Sequence, residues 1–479
     1  MAPRQAIRDN AATLDATGLA ILSASSRAQA VTHRTFLTSI LFIIALVKSV
    51  AAPAAIAIAI GDEHSAYDRL PALVGLVDRL KAENPQVPVL ILIDGDAFEY
   101  GNRVARRTDG KIDLAGFRAL ARRAPTVLNI GNHETDLFSM SDLVDRVRAT
   151  GVTVISGNAC SRETGKPFAP ASAKISIGSH SITVVGFTTD ALATYRFAVR
   201  PTLDLRNPVD WANANLAREL QGAELPIVLS HAGLKADRQI LPHVPPGALF
   251  VGGHDHLRFV HDAGGVTYVH TGSWLEYVTI AELNLNAGQA HWSIRQQPLV
   301  QQARSDAALD GEIRAALTSA LTNEDKRVVG HTSQAFSAPE AARFAVESAR
   351  RAANADLAII GATTFGDGLP VGDLSAYAFD NCVRFDGPLY VATISGDTAR
   401  ALLRRSNQGP DTPYAERTGE NLIATTSDHF TDASTCRIVT TDWIGKNPKG
   451  LLGENAPTFT QLPGMTLKRA VIEALKPKL

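Results

Sequence analysis

A chain of 479 residues, 45% of them apolar and 20% charged, is long enough for two or three domains and has the make-up of a globular protein, which excludes a disordered or collagen-like chain. A formal net charge of -1, with no basic stripe interleaved with aromatics, gives no electrostatic ground for nucleic acid or an anionic membrane surface as a partner. Three widely spaced cysteines, Cys160, Cys382 and Cys436, exclude a disulfide-dense scaffold; they leave one Cys382–Cys436 bridge or three buried small hydrophobes.

The first element in the chain is "HRTFLTSILFIIALVKSVAAPAA". A basic flank, a short apolar run from Phe36 to Val47 and a small-residue exit around Ser49 to Ala52 make the pattern of a secretory signal peptide. The run falls short of the roughly 20 residues of a membrane span. Export to the periplasm or medium with cleavage is therefore expected, with no stable membrane span after processing; an uncleaved N-terminal anchor is the alternative. The Ala-rich stretch before the run is unusual in a leader, and Val31 offers an alternative start.

Beyond residue 52, short apolar runs alternate with helical patterns. "AIAIAI", "VPVLILI", "PTVLNI" and "VTVIS" read as strands, separated by helices in "LPALVGLVDRLKAE", "DLAGFRALARRA" and "SDLVDRVRAT". This alternation predicts buried, largely parallel strands in an α/β layout. "AKISIG", "SITVVGF", "LPIVLS" and "GALFVGG" continue the strands, with a helix near "WANANLAREL", before hairpin-like strands run to about residue 300. A helical connector follows at 301–325. Residues 326–479 read as a second α/β domain of about 150 residues, a usual domain size. The expected organisation is thus a leader (1–52), a first domain (53–300), the connector and the C-terminal domain.

The polar residues of interest follow the strands. "IAIGDEH" ends in Asp62 and His64, "LILIDGDAFEYG" carries Asp96, and "VLNIGNHETD" supplies Asn132, His133, Glu134 and Asp136. "IVLSHAG" presents His231, and "LFVGGHDH" presents His254 and His256. Ligands of open α/β sheets bind beyond the carboxyl ends of strands. Singly, a Gly-Asp after a strand is ordinarily a turn and a Gly-His-Asp-His a solvated loop. Five strands that each end in Asp, Asn or His are a set, and imidazole, carboxylate and amide oxygen donors together suit two divalent ions of Zn, Mn, Fe or Co. Such a pair can hold a bridging water or hydroxide for attack on phosphorus, and Asp96 is the natural shared ligand. His261 and His270 are expected to face solvent or cap a strand.

In these motifs, "DEH", "GDAFEYG", "GNHETD", "LSHAGL" and "GGHDH", the sequence resembles the calcineurin-like metallophosphoesterases, and among them the bacterial 5'-nucleotidases. The resemblance spans nearly all of the chain after the leader. It implies a four-layer α/β/β/α sandwich with a smaller α/β C-terminal domain. It also implies that Asp62, His64, Asp96 and His256 hold one metal, and Asp96, Asn132, His231 and His254 the other. His133 would face the leaving group with Asp136 orienting it, a role that the residues themselves support, since a histidine beside a carboxylate is a poised acid. Glu134 is expected in a hydrogen bond to a ligand.

In the C-terminal half the resemblance implies an aromatic clamp on a nucleobase, with Phe385 and Trp443 at the two stacking positions. The polar part of that pocket departs from the family. Gly361 and Gly366 stand where Asn and Arg belong, Lys449 replaces an aspartate, and the helix "APEAARFAVES" lacks the family's asparagine pair, for which Arg343 is the candidate substitute. The expectation is an exported phosphoesterase that hydrolyses phosphate monoesters of small molecules, nucleotides first. The alternatives are the same metal machinery on a sugar phosphate, cyclic nucleotide or sulfur-bearing ester, and a non-catalytic ligand-binding relative.

Overall fold

The computed structural model describes residues 52–286, 289–299, 306–427, 430 and 434–476. The apolar run Phe36–Val47, and with it the expected signal peptide, lies outside the described residues. Among the described residues, no helix is long and apolar enough to cross a membrane.

Strand Ala55–Ile60 shows how the layers arise. All six residues are buried. Because side chains alternate across a strand, Ala55, Ala57 and Ala59 join the core between two sheets, while Ile56, Ile58 and Ile60 join the core under the helices. Small residues on one face bring the second sheet close, and branched ones on the other fill the gap to the helices. The first sheet orders its strands Gln289–Pro298, Tyr277–Asn286, Ala55–Ile60, Val89–Asp94, Thr126–Asn129 and Thr153–Ile155. Helices Leu70–Glu83, Lys111–Ala121 and Met140–Arg148 bury their apolar faces against its outer side. The second sheet runs Arg258–Ala263, Val266–Thr271, Leu249–Gly252, Leu225–His231, His180–Thr188 and Ser172–Ile177. Helices Pro208–Glu219 and Leu234–Ile240 cover it. The order is α/β/β/α, as the resemblance implied. The four strands from Ala55 to Ile155 pair in parallel, so their carboxyl ends open on one side.

The C-terminal domain is built on a five-stranded sheet, ordered Leu422–Thr426, Leu357–Gly361, Thr435–Thr441, Pro388–Ser395 and Thr460–Thr466. Helix Ala338–Ala352 packs on one face and Gly396–Arg405 on the other. The last strand and the helix Leu467–Leu475 had no counterpart in the sequence reading. "TQLPGMT" carries Pro463 and Gly464, which mask a strand signal and are tolerated because this strand lies at the sheet edge.

One expectation is corrected here, the placing of His270 at the solvent or at a strand cap. His270 is fully buried, its Nε2 2.7 Å from the Tyr268 hydroxyl and 3.3 Å from Asp237 Oδ2; these partners offset part of the cost of placing an imidazole inside, while its Nδ1 has none. His261 is half-buried, with its ring stacked on Tyr414 at 3.8 Å. Cys160, Cys382 and Cys436 are free and buried, which is the small-hydrophobe alternative.

Candidate metal centre

The strand ends converge. Asp62 and His64 follow Ala55–Ile60, and Asp96 follows Val89–Asp94. Asn132 and His133 follow Thr126–Asn129, His231 ends Leu225–His231, and His254 and His256 follow Leu249–Gly252. Asp62, His64 and His256 form one group able to hold a cation, and Asp96, His231 and His254 form another. Asp96 also groups with His64 and His133, so its carboxylate stands between the two sets. His64 Nε2 lies 3.0 Å from His256 Nε2, about the spacing of two nitrogens bound at right angles to one ion at about 2.1 Å. Asp62 Oδ1 is 3.6 Å from His256 Nε2 and 3.9 Å from His231 Nε2.

The backbone is strained where these side chains sit. Asp62, His64, Asp96, His254 and His256 all have positive φ, between 51° and 75°, a region that costs non-glycine residues on the order of 1–3 kcal/mol each. Such strain persists only where the surrounding fold over-determines it, and here it clusters on the converging loops. Close approach requires glycine beside them. At Gly95, φ is +72° and a Cβ would lie 2.6 Å from His231 Nδ1.

The donors are aimed at one another without being satisfied by one another, which is the arrangement a cation would complete. Asn132 Oδ1 is buried with no hydrogen-bond partner, and His231 Nε2, although 3.1 Å from Asp96 Oδ2, makes no hydrogen bond. On its far side, His231 Nδ1 donates to the Asp94 carbonyl at 2.6 Å, which fixes the ring and turns Nε2 inward; burial lowers the His231 pKa, but Asp96 beside it, with Asp62 and Asp94, more than offsets that and holds it well above the usual imidazole range. Burial holds His64 and His256 well below the usual imidazole range, Arg384 adding to it for both, and burial then the His231 charge bring His254 down to about 4. All three imidazoles are thus neutral. Burial raises the Asp96 carboxyl, but the His231 and His133 charges outweigh it and hold Asp96 low, hence anionic. Burial, with Asp96 beside it, lifts Glu134 to about 7. Glu134 accepts from the amides of Asp96, Ala97 and Gly131 at 2.7–3.1 Å, so it ties two loops together through backbone.

His133 sits at the rim, partly exposed. Its amide donates to Asp96 Oδ1 at 2.7 Å and its Nδ1 is 2.8 Å from Asp136 Oδ2, which also accepts from the Tyr100 amide. Burial pulls the His133 pKa down, but Asp136 and Asp96 more than offset it, leaving it raised to about 10.

Phe385 and Trp443 lie on the C-terminal domain, flanking its strands Pro388–Ser395 and Thr435–Thr441. Strand Pro388–Ser395 pairs antiparallel with Thr435–Thr441, Leu389 opposite Thr441, so the segment entering one strand and the segment leaving the other emerge at the same sheet end. Both rings are largely exposed, 52% and 63%, which rules out a core role. At Gly366 the Asn381 carbonyl and Trp274 crowd the Cβ position; the missing side chain is built into the backbone path. Lys449 pairs with Glu454 at the surface, and Arg343 is exposed.

Three residues that the sequence reading passed over reach the centre. Trp274 stacks on His64 and Glu99 Oε2 lies 3.4 Å from His64 Nδ1. Arg384 of the C-terminal domain donates to Glu99. Glu99 stood within a quoted motif and Arg384 beside Phe385, but nothing local signalled their contact.

Residues 57–272 match the family model described as calcineurin-like phosphoesterase. No curated protein matches the chain in sequence. Among solved structures, the chain is similar to the 5'-nucleotidase precursor of Thermus thermophilus, at 18% identity and a TM-score of 0.60 over 88% of this chain and 96% of that one. It is similar to the 5'-nucleotidase of Candida albicans, at 13% identity and a TM-score of 0.59 over 89% and 98%. It is also similar to the sulfate thiohydrolase SoxB of Thermus thermophilus, at 15% identity and a TM-score of 0.60 over 85% and 80%. At these identities the likeness is one of fold, C-terminal domain included. Calcineurin-like phosphoesterases use divalent metals, and the converging side chains offer groups that could hold them. The chain carries a calcineurin-like phosphoesterase domain over residues 57–272 and is a metal-dependent phosphoester hydrolase.

Proposed function

We propose that the protein is an exported, dimetal phosphoesterase of 5'-nucleotidase type that releases phosphate from nucleoside monophosphates. The observation that carries this is the meeting of two metal-competent groups at a shared Asp96, with a His133–Asp136 pair at the rim and two exposed rings at one end of the neighbouring sheet. In this reading Asp62, His64, Asp96 and His256 hold one ion, and Asp96, Asn132, His231 and His254 hold the second, each Zn, Mn, Fe or Co. When bound, the two cations supply positive charge to the phosphoryl oxygens and acidify the attacking water. His133, held at Nδ1 by Asp136, keeps Nε2 free to give a proton to the departing oxygen. Tyr100 fixes Asp136 through its amide and so fixes the angle of the imidazole.

Phe385 and Trp443 would take the base between them, a use that explains why two large apolar rings stay exposed. Residues 53–300 then form the catalytic unit and 326–479 the substrate platform, joined by 301–325. Export rests on the basic–apolar–small pattern of the leader, and the N-terminal sequence of the mature protein from the periplasmic fraction checks it.

A second reading, the same centre acting on another ester, is favoured by the backbone at Gly366. No side chain can stand there to hold a ribose or phosphate, and lost polar partners relax specificity. A substrate panel separates the two: the metal-stripped full chain, reloaded with Mn, Zn or Co, is offered nucleoside monophosphates, sugar phosphates, cyclic nucleotides, a thiosulfonate and an aryl phosphate. Preference for nucleoside monophosphates supports the first reading and indifference the second. Turnover of none would leave a ligand-binding relative.

A further inference from the structure

The C-terminal domain does more than approach the centre; one of its side chains ends inside it. Arg384 lies between helix Ala376–Cys382 and strand Pro388–Ser395, and only 2% of its side chain is exposed. One arm is anchored within its own domain, Nη1 donating to the Thr363 carbonyl at 3.0 Å. The other arm crosses to the catalytic domain, where Nη2 donates to Glu99 Oε2 and stands 3.5 Å from His64 Nδ1. Glu99 is itself almost fully buried; its Oε1 accepts from the Gly101 amide at 2.6 Å, and its Oε2 lies 3.4 Å from His64 Nδ1.

If His64 binds a cation through Nε2, as the proposed function has it, Nδ1 must carry the proton, and Glu99 Oε2 is the acceptor within reach. A metal-bound imidazole is normally steered by such a carboxylate on its other nitrogen. Burying a carboxylate is costly unless it is paired and hydrogen-bonded; within the catalytic domain His133 Nδ1 stands 4.0 Å from Glu99 Oε2, and Arg384 comes closer. The same domain also reaches the loop carrying the second pair of imidazoles, where the Asn421 side-chain amide donates to the Asp255 carbonyl, between His254 and His256, at 2.5 Å.

We infer that Arg384 and Glu99 are positioning residues for the metal centre: the C-terminal domain, by supplying Arg384, holds the Glu99 carboxylate in place against His64 Nδ1 and thereby sets the affinity of the His64–His256 site for its ion. The next residue, Phe385, is exposed, so, where it meets the substrate as proposed, docking of the substrate platform and loading of that ion are mechanically linked through one dipeptide. This inference rests on the dimetal reading above.

The test uses the metal-stripped full chain, titrated with Co(II) and followed by calorimetry and by the visible spectrum of the bound ion, for wild type, Arg384→Met, Arg384→Lys and Glu99→Gln. The expected result is that Arg384→Met and Glu99→Gln weaken one of the two ions by about 10–100-fold and alter its spectrum, leave the other ion in place, and that Arg384→Lys restores part of the loss. Equal affinity for both ions in Arg384→Met overturns the inference. So does a rise in KM without a change in metal affinity, which would make Arg384 a substrate ligand. Loss of both ions together with a collapsed melting temperature also overturns it, since that is general unfolding. A wild-type chain that binds no pair of ions fails earlier, and sinks the dimetal reading itself.

Discussion

The ring of Trp274 stacks on that of His64, centroids 5.1 Å apart and planes 26° from parallel. Trp274 is 4% exposed, and its amide donates to the Asp62 carbonyl at 2.7 Å, so one residue supports two candidate ligands. Replacing it with alanine removes the wall behind His64. Trp274→Ala is expected to destabilise the chain by about 3–5 kcal/mol, the usual cost of emptying a large aromatic site, and to weaken metal binding beyond what the melting temperature explains. Trp274→Phe should recover most of both. Metal titration of the two variants beside their melting curves checks this; a Trp274→Ala variant that binds metal normally would show that the stacking is incidental.

His133 and Asp96 separate catalysis from metal loading. His133→Asn is expected to keep both ions while lowering kcat by about 10²–10⁴-fold, the range for losing a general acid. Asp96→Ala removes the carboxylate shared by both groups and is expected to abolish both metal loading and turnover. Metal content measured alongside steady-state rates decides the matter. If His133→Asn loses metal, the imidazole is a ligand; if Asp96→Ala turns over an aryl phosphate, the shared-ligand idea fails.

The candidate ligands were readable because each is local to a strand end: a glycine, a short polar cluster and a preceding apolar run stand close together in the chain. The α/β layout was readable from the alternation of apolar runs with helical patterns, whereas the four-layer order came only from the resemblance; that the Ala and Ile faces of Ala55–Ile60 meet different layers shows in the structure. What escaped is what depends on distant contacts. Arg384 meets Glu99 across 285 positions of chain and His64 across 320, and no periodicity in either segment announces it. His270 was misplaced because a lone histidine in a strand looks solvated until Tyr268 and Asp237 are seen to meet its Nε2. The edge strand Thr460–Thr466 was hidden by its own proline and glycine.

The exposed rings of the C-terminal domain make a clean mutational target. Phe385 and Trp443 are each more than half exposed, so alanine at either should change stability by no more than about 0.5 kcal/mol, as surface substitutions do. If they clamp a base, each substitution should raise KM for a nucleoside monophosphate by about 5–150-fold, corresponding to 1–3 kcal/mol per stacked base. KM for an aryl phosphate too small to bridge both rings should move far less. Equal effects on both substrates would remove the clamp.

Acid stability should report on Asp325. Its buried carboxylate accepts from Arg107, from Arg103 at 2.7 Å and from the Thr322 hydroxyl and amide at 2.7 and 2.8 Å, while Arg103 also pairs with Asp380. The Arg107 hydrogen bond first, then Arg103 and Thr322, hold the carboxyl well below the usual carboxylate range despite its burial. A folded-state pKa depressed in this way contributes stability that is fully present above the unfolded value of about 3.9. That contribution is lost as pH falls through the unfolded value toward the folded one. Asp325→Asn should therefore lower the melting temperature at pH 7, because it strips one partner from a buried ion pair and leaves two guanidiniums facing an amide. It should also flatten the decline below about pH 4, since the group that must take up a proton on unfolding is gone. Melting curves from neutral pH down to about pH 3 test both halves: a variant whose midpoint falls with acid as steeply as the wild type would mean that other carboxylates, not Asp325, govern the acid limb.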